Sequence, residues 1–165
     1  MDPHIPVWAL GNYSGVHREA LLAMKERGRR DVPQFLGAVV RSGLEYLAAR
    51  GELPEVEELT LVPAPTRRAS ARLRGGDPVT LVARASGANV VSCVRHGSQV
   101  KESVGLDASS RQRNLAGNVV LEAIPPSPVV ILDDVVTTGS TISVTSALLL
   151  AAKVQVAGAL VICAA

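Results

Sequence analysis

Aromatic side chains are almost missing: Trp8, Tyr13, Phe35 and Tyr46 are the only four in 165 residues. Beyond Tyr46 there is no Phe, Tyr or Trp, so the basic segment lacks a stacking platform, which argues against direct nucleic-acid binding there. The core must therefore be built from Val, Leu, Ala and Ile. Cysteine is equally scarce. Cys93 and Cys163 stand 70 residues apart, each in an apolar run, and no His pair lies at ligand spacing to either. This excludes a CxxC zinc ribbon and suits small buried hydrophobes in a reducing compartment. Long apolar runs are lacking too. The apolar stretch from Ala147 to Ala165 is broken by Lys153 and Gln155, so no membrane span is expected. No basic-then-apolar leader pattern opens the chain, and a cytoplasmic protein is the expectation.

What is present describes a globular chain. A length of 165 residues corresponds to about one domain, and such a domain buries roughly 70% of its unfolded surface. Hydrophobic residues make up 47% and charged residues 19%, which excludes wholesale disorder. The net charge of +2 hides an uneven distribution. Residues 1–66 carry 7 basic and 9 acidic side chains, residues 67–113 carry 9 and 3, and residues 114–165 carry 1 and 3. A basic middle between acidic flanks points to an anionic ligand met by one segment.

The N-terminal dozen residues, with Pro3 and Pro6, read as an extended lead-in. Ser14 caps an expected helix to about Arg27, and Asp31 caps a second, with Pro33 in its first turn, to Gly51. From residue 57 strands alternate with helices. Strands are expected at Leu59–Val62, Asn89–Val94, Val119–Ala123, Val129–Leu132 and Val154–Cys163. Helices are expected from Asp77-Pro78 to Ser86, from Leu106 to Leu115, and from about Thr141 to Ala152. The continuous apolar runs are those of a sheet covered on both faces. The expectation is an α/β fold, a mostly parallel twisted sheet with helices on both faces. Residues 1–56 would form a helical cover and 57–165 the α/β core of one domain.

The chemistry concentrates in residues 129–141, Val-Val-Ile-Leu-Asp-Asp-Val-Val-Thr-Thr-Gly-Ser-Thr. Four apolar residues make a central strand. Asp133 and Asp134 then fall at its carboxyl end, where ligands bind in open α/β sheets. Two adjacent carboxylates are costly to bury without hydroxyl or cationic partners. Thr137, Thr138, Gly139, Ser140 and Thr141 open a helix, and small residues there let backbone N–H groups and hydroxyls converge on an anion. A carboxylate pair beside a phosphate cradle suits a phosphorylated sugar. The pattern is neither a Walker A loop nor GxGxxG.

These thirteen residues resemble the phosphoribosyl-pyrophosphate (PRPP) signature of type I phosphoribosyltransferases. The wider pattern is similar to the ComF/GntX-like branch. Tyr13-Ser14-Gly15 opens its helix pair, with Lys25 near the end of the first helix. Val62-Pro63-Ala64-Pro65 follows the first strand. Gly105-Leu106 and Arg111 to Asn114-Leu115 precede the signature. The chain lacks the branch's four-cysteine zinc ribbon, has Gly75-Gly76-Asp77-Pro78 in place of Gly-Phe-Asn-Gln, and has Ser103 in place of a Gln.

The resemblance implies transfer of a 5-phosphoribosyl group from PRPP to a nitrogenous base, with Mg²⁺ carried by PRPP rather than held directly by the protein, and with the N-terminal helices and the lead-in around Trp8 as a hood. Asp133 and Asp134 would bind the ribose hydroxyls, and Thr137 to Thr141 the 5′-phosphate. Ala64, Pro65, Thr66, Arg67, Arg68 and Arg111 would bind the pyrophosphate. Lys101 would lie on a flap from Arg95 to Gly105 that closes over the site. Stabilising the departing pyrophosphate needs fixed cations, which Arg67, Arg68, Arg72 and Arg74 could supply, about half of them as surface charges. Arg111 and Arg113 cannot both face the site from one helix, and Arg111 fits the family element better. Lys25 is either a site lysine or a solvated helix end, and His17 and His96 have no catalytic partner. The alternative is a PRPP-binding regulatory or competence-related (DNA-uptake) protein that does little or no catalysis. The acceptor base and the oligomeric state stay open, with a homodimer as one expectation.

Overall fold

The apolar tetrad Val129 to Leu132 begins the strand around which the rest is organised. The computed structural model describes residues 4–65, 77–97 and 119–165. In chain order the elements are β1 (Val7–Asn12), α1 (Gly15–Glu26), α2 (Val32–Ala49), β2 (Thr60–Pro63), α3 (Pro78–Ala85), β3 (Asn89–Val90), β4 (Val94–His96), β5 (Val119–Leu121), β6 (Val129–Val136), α4 (Ser140–Ala151) and β7 (Val156–Ala164). Five strands form one parallel sheet in the order β1-β7-β6-β2-β3. The strands β4 and β5 form a separate antiparallel pair. The architecture is α/β with a parallel sheet, as expected.

Strand alternation divides the core into two layers. Leu61, Val130, Leu132 and Leu160 point to the side covered by α1, α2 and α3, where they meet Leu21, Met24, Leu36, Val40, Leu44 and Val82. Val62, Ile131, Ala159 and Val161 point to the other side, where α4 supplies Ile142 and Leu149 and the β4–β5 pair supplies Val94 and Val119. Burying one such aliphatic side chain contributes about 2 kcal/mol, so fully enclosed Leu132 and Ile131 outweigh any surface ion pair here.

Several local expectations are met. The side chain of Asp77 caps α3, accepting from Val79 N at 3.3 Å and from the Thr80 hydroxyl at 2.6 Å. Asp31 does stand at the start of α2, but its carboxylate does not cap. Both of its oxygens are taken by the Arg29 guanidinium, at 2.8 and 2.6 Å, which holds its carboxyl down at about 2.

Three expectations change. Residues 7–12 are not merely a lead-in: they are an edge strand of the main sheet, paired with β7. Its partner lies at the far end of the chain, which no local pattern reveals. The run from Asn89 to Val94 divides at Val91 to Cys93, so that β3 stays in the main sheet while β4 leaves it to pair with β5, Arg95 facing Val120. Arg95 and His96, expected on a flap, are therefore in a strand, where Arg95 forms an ion pair with Glu122. Residues 98–105 of that flap and the helix from Leu106 to Leu115 lie outside the described residues. Finally, β6 runs on to Val136, four residues past the expected end, because Asp133, Val135 and Val136 continue the ladder with β7.

Trp8 anchors the edge strand by lying against Gly158. A Cβ at Gly158 would come within 2.4 Å of the indole ring and 2.9 Å of the Pro6 carbonyl oxygen. Gly158→Ala is expected to lower stability by about 1–3 kcal/mol through overpacking. Because Trp8 is the only tryptophan, its emission spectrum in the folded state should move as well, and denaturant titration followed at that wavelength checks both.

Candidate functional site

The topology itself marks a crevice. From β2 the chain passes through α3 on one face to β3, moving away from β6. From β6 it passes through α4 on the opposite face to β7, moving away from β2. At the carboxyl ends of β2 and β6 the two connections diverge, which is where open α/β sheets bind ligands. Residues from both strands meet there: Ala64 N donates to the Leu132 carbonyl oxygen at 2.8 Å, so Ala64 and Pro65 lie beside Asp133.

Asp133 and Asp134 are inside the ladder rather than beyond it, and alternation sends them to opposite faces. Asp133 shares the face of Ile131. It borders a shallow concavity of about 30 Å³, lined also by Thr137, Thr138, Gly139, Ser140 and Thr141. Asp134 shares the face of Leu132 and forms an ion pair with the Lys25 ammonium, arriving from α1. The Asp134 side chain is only 14% exposed, so this cation is its principal compensation. The pair remains close enough to interact. Asp133 Oδ1 accepts from Asp134 N at 2.8 Å, and Asp134 Oδ1 accepts from Val135 N at 2.7 Å. Burial, and then the Asp134 charge, push the Asp133 carboxyl up to about 7, while Lys25 pulls it down.

The loop that follows is built to turn sharply. Gly139 has φ 74° and ψ 7°, a left-handed conformation that favours glycine, and it stands at the N-cap of α4. Its carbonyl accepts from Ser143 N at 2.9 Å. The first N–H groups of α4 have no intrahelical acceptor, as at every helix start. The Thr138 hydroxyl lies 3.2 Å from the Ser140 hydroxyl. Thr137, Thr138 and Ser140 are exposed, and Gly139 and Thr141 partly so. A cavity this small holds a single end group, so a larger ligand would extend from it along the crevice toward Ala64 and Pro65.

The structure thus brings together Asp133, the five loop residues 137–141, and the start of the turn at Ala64-Pro65. It sets Asp134 on the opposite face with Lys25. Thr66, Arg67, Arg68, Arg72, Arg74, Lys101, Arg111 and Arg113 lie outside the described residues. Of the two readings of Lys25, the solvated helix end is not what is found: its ammonium pairs with Asp134. A basic residue in the last turn of a helix is commonplace, and nothing local in the sequence tells which strand it reaches. Lys25→Met should cost about 1–3 kcal/mol, because it leaves the largely buried Asp134 carboxylate without its cation. It should also push the Asp133 carboxyl higher still, which carboxyl-resolved NMR titration would read. Among the described residues no cluster of three or more His, Cys, Asp or Glu could hold a metal ion, and no helix is long and apolar enough to cross a membrane. Comparison with protein-family models gives no match, and neither does comparison with curated proteins.

Proposed function

We propose that this protein binds PRPP and transfers its 5-phosphoribosyl group to a nitrogenous base, releasing pyrophosphate. The observation that carries the reading is the shared concavity: Asp133 and the loop 137–141 meet at the carboxyl end of the central strand, on one strand-turn-helix unit. A sugar phosphate has both groups such a site can satisfy. Its terminal phosphate accepts from loop N–H groups and hydroxyls at a helix start, and its hydroxyls donate to carboxylates. A carboxyl group held near neutrality, as Asp133 is, can accept such a bond when ionised and donate one when protonated. The hydroxyl bond would add to the contacts Asp133 already makes with Asp134.

In the transfer, the bond from ribose C1 to the pyrophosphate oxygen breaks and a bond from C1 to the base nitrogen forms. The positive charge developing on the ribose ring would lie near Asp133, whose ionised carboxylate favours it electrostatically. Mg²⁺ would enter as the counter-ion of PRPP and would neutralise the departing pyrophosphate. The resemblance to type I phosphoribosyltransferases extends the site to the Arg-rich segment after Pro65 and to Lys101.

Release of pyrophosphate from PRPP and Mg²⁺, measured against a panel of purine, pyrimidine and pyridine bases, tests the activity. Base-dependent release that disappears in Asp133→Asn is the expected result. The Lys25–Asp134 ion pair favours one further reading, a PRPP-binding regulator. Because Lys25 already occupies Asp134, a diol gains that carboxylate only if α1 shifts, which converts occupancy into a movement. Saturable PRPP binding with no release against any base would select that reading.

A further inference from the structure

A second concavity, of about 610 Å³, opens between the α1–α2 turn and the outer side of α3, and it shares no residue with the Asp133 cavity. This volume is in the range of small-molecule sites. Its apolar part comes from Met24, Pro33 and Leu81, and its rim carries Arg29, Arg30 and Arg84. Arg29 is committed to Asp31, which takes its guanidinium with two hydrogen bonds. Arg30 and Arg84 form no ion pair with any of the described residues. Leu81 is 40% exposed in the same concavity, although it is a large apolar side chain.

A partly exposed Leu and two guanidiniums with no ion pair among the described residues, around one opening, have a common complement. A flat apolar body covers the first, and an anionic group pairs with the second. Guanidinium groups are planar, stack on aromatic rings and hold carboxylate or phosphate oxygens in pairs. We propose that this concavity is a binding site for a small planar aromatic anion, its ring against Pro33 and Leu81 and its charged group on Arg30 and Arg84. The site uses none of the residues assigned to PRPP, so it holds or fails independently of that reading.

Calorimetric titration tests it with two probe pairs, 2-naphthoate against 2-naphthamide and adenosine 5′-monophosphate against adenosine. One anion of the two is expected to bind at least tenfold more tightly than its neutral counterpart, and the pair that does so distinguishes carboxylate from phosphate. Arg30→Ala and Arg84→Ala should each weaken that anion by about five- to tenfold, since each removes a charge-assisted contact at a partly exposed site. Gln34→Trp, which fills the opening from an exposed helix position, should weaken it by more than tenfold with the far-UV circular dichroism unchanged. Asp133→Asn should leave it unaltered. Equal binding of anion and neutral analogue, no binding of either anion at millimolar concentration, wild-type affinity in both Arg variants, or loss of the anion in Asp133→Asn would each overturn the proposal. The last would place the anion at the loop 137–141 instead.

Discussion

At mildly alkaline pH, Asp133→Asn should make the ligand-free protein more stable and at the same time weaken its affinity for PRPP. The stability half follows from the carboxyl's position. In the folded state burial and the Asp134 charge raise it to about 7, from an ordinary value near 4 in the unfolded chain. A group raised in this way favours folding fully below its unfolded value, and that contribution is lost as pH rises through its folded value. Wild-type stability should therefore fall between about pH 4 and pH 8, by about 2 kcal/mol from this group once solvent screening is allowed for. Asparagine keeps an oxygen to accept from Asp134 N and carries no charge, so the variant should lack most of this slope. It should be more stable than wild type at pH 8. The binding half follows from the loss of the ionised acceptor. A diol hydrogen-bonded to a charged group contributes about 1.5–3 kcal/mol, so PRPP affinity should drop by about ten- to a hundredfold. Chemical denaturation at pH 5 and pH 8, beside titration with PRPP and Mg²⁺, measures both. A variant that loses both stability and binding would instead mean that Asp133 is a structural residue.

The largest change in stability is expected far from that edge. At Gly37, α2 crosses the end of α3 backbone to backbone. A Cβ there would lie 2.6 Å from the carbonyl carbon and the Cβ of Ala85, and 2.8 Å from Ser86 N. None of these atoms is the end of a flexible side chain, so the helices must separate. They bury Val40, Val79, Val82 and Ala83 between themselves and the sheet, and a separation loosens that packing. Replacing glycine by alanine inside a helix ordinarily stabilises by about 1 kcal/mol. Here Gly37→Ala should destabilise by about 2–3 kcal/mol, a reversal of sign that identifies the crossing. Ser42→Ala on the same helix, at an exposed position, should shift the midpoint by no more than a few tenths of a kcal/mol and serves as the control.

The sequence carried the elements whose signals are local. Asp77-Pro78 announced α3 because the cap and the proline act within one turn, and Val129 to Leu132 announced β6 because a buried parallel strand needs an unbroken apolar run. The loop 137–141 was legible for the same reason, since its chemistry is contiguous. What escaped depends on partners distant in the chain. β1 pairs with β7 across almost the whole chain, and its mixed run, with Gly11 and a large Trp8, has no strict period. Arg29 diverted Asp31 from the capping role that its position suggested, because a bidentate guanidinium two residues away competes for the same oxygens. The sequence also shows two adjacent aspartates as a unit. In β6 they face opposite sides, and the difference matters: Asp133 borders the loop and is pushed toward neutrality, whereas Asp134 is matched by Lys25. No spacing rule joins Lys25 to Asp134, because the contact depends on how α1 lies over the edge of the sheet.

PRPP is expected to bind where the carboxyl end of β6 meets the loop 137–141. Isothermal titration of the wild-type protein with PRPP and Mg²⁺, repeated with Asp133→Asn and Gly139→Val, tests it most directly. Saturable binding at one site per chain is expected in the wild type, weakened at least tenfold by either substitution while both variants remain folded. Absence of binding to the wild type, or equal binding to all three proteins, would rule out PRPP at this site.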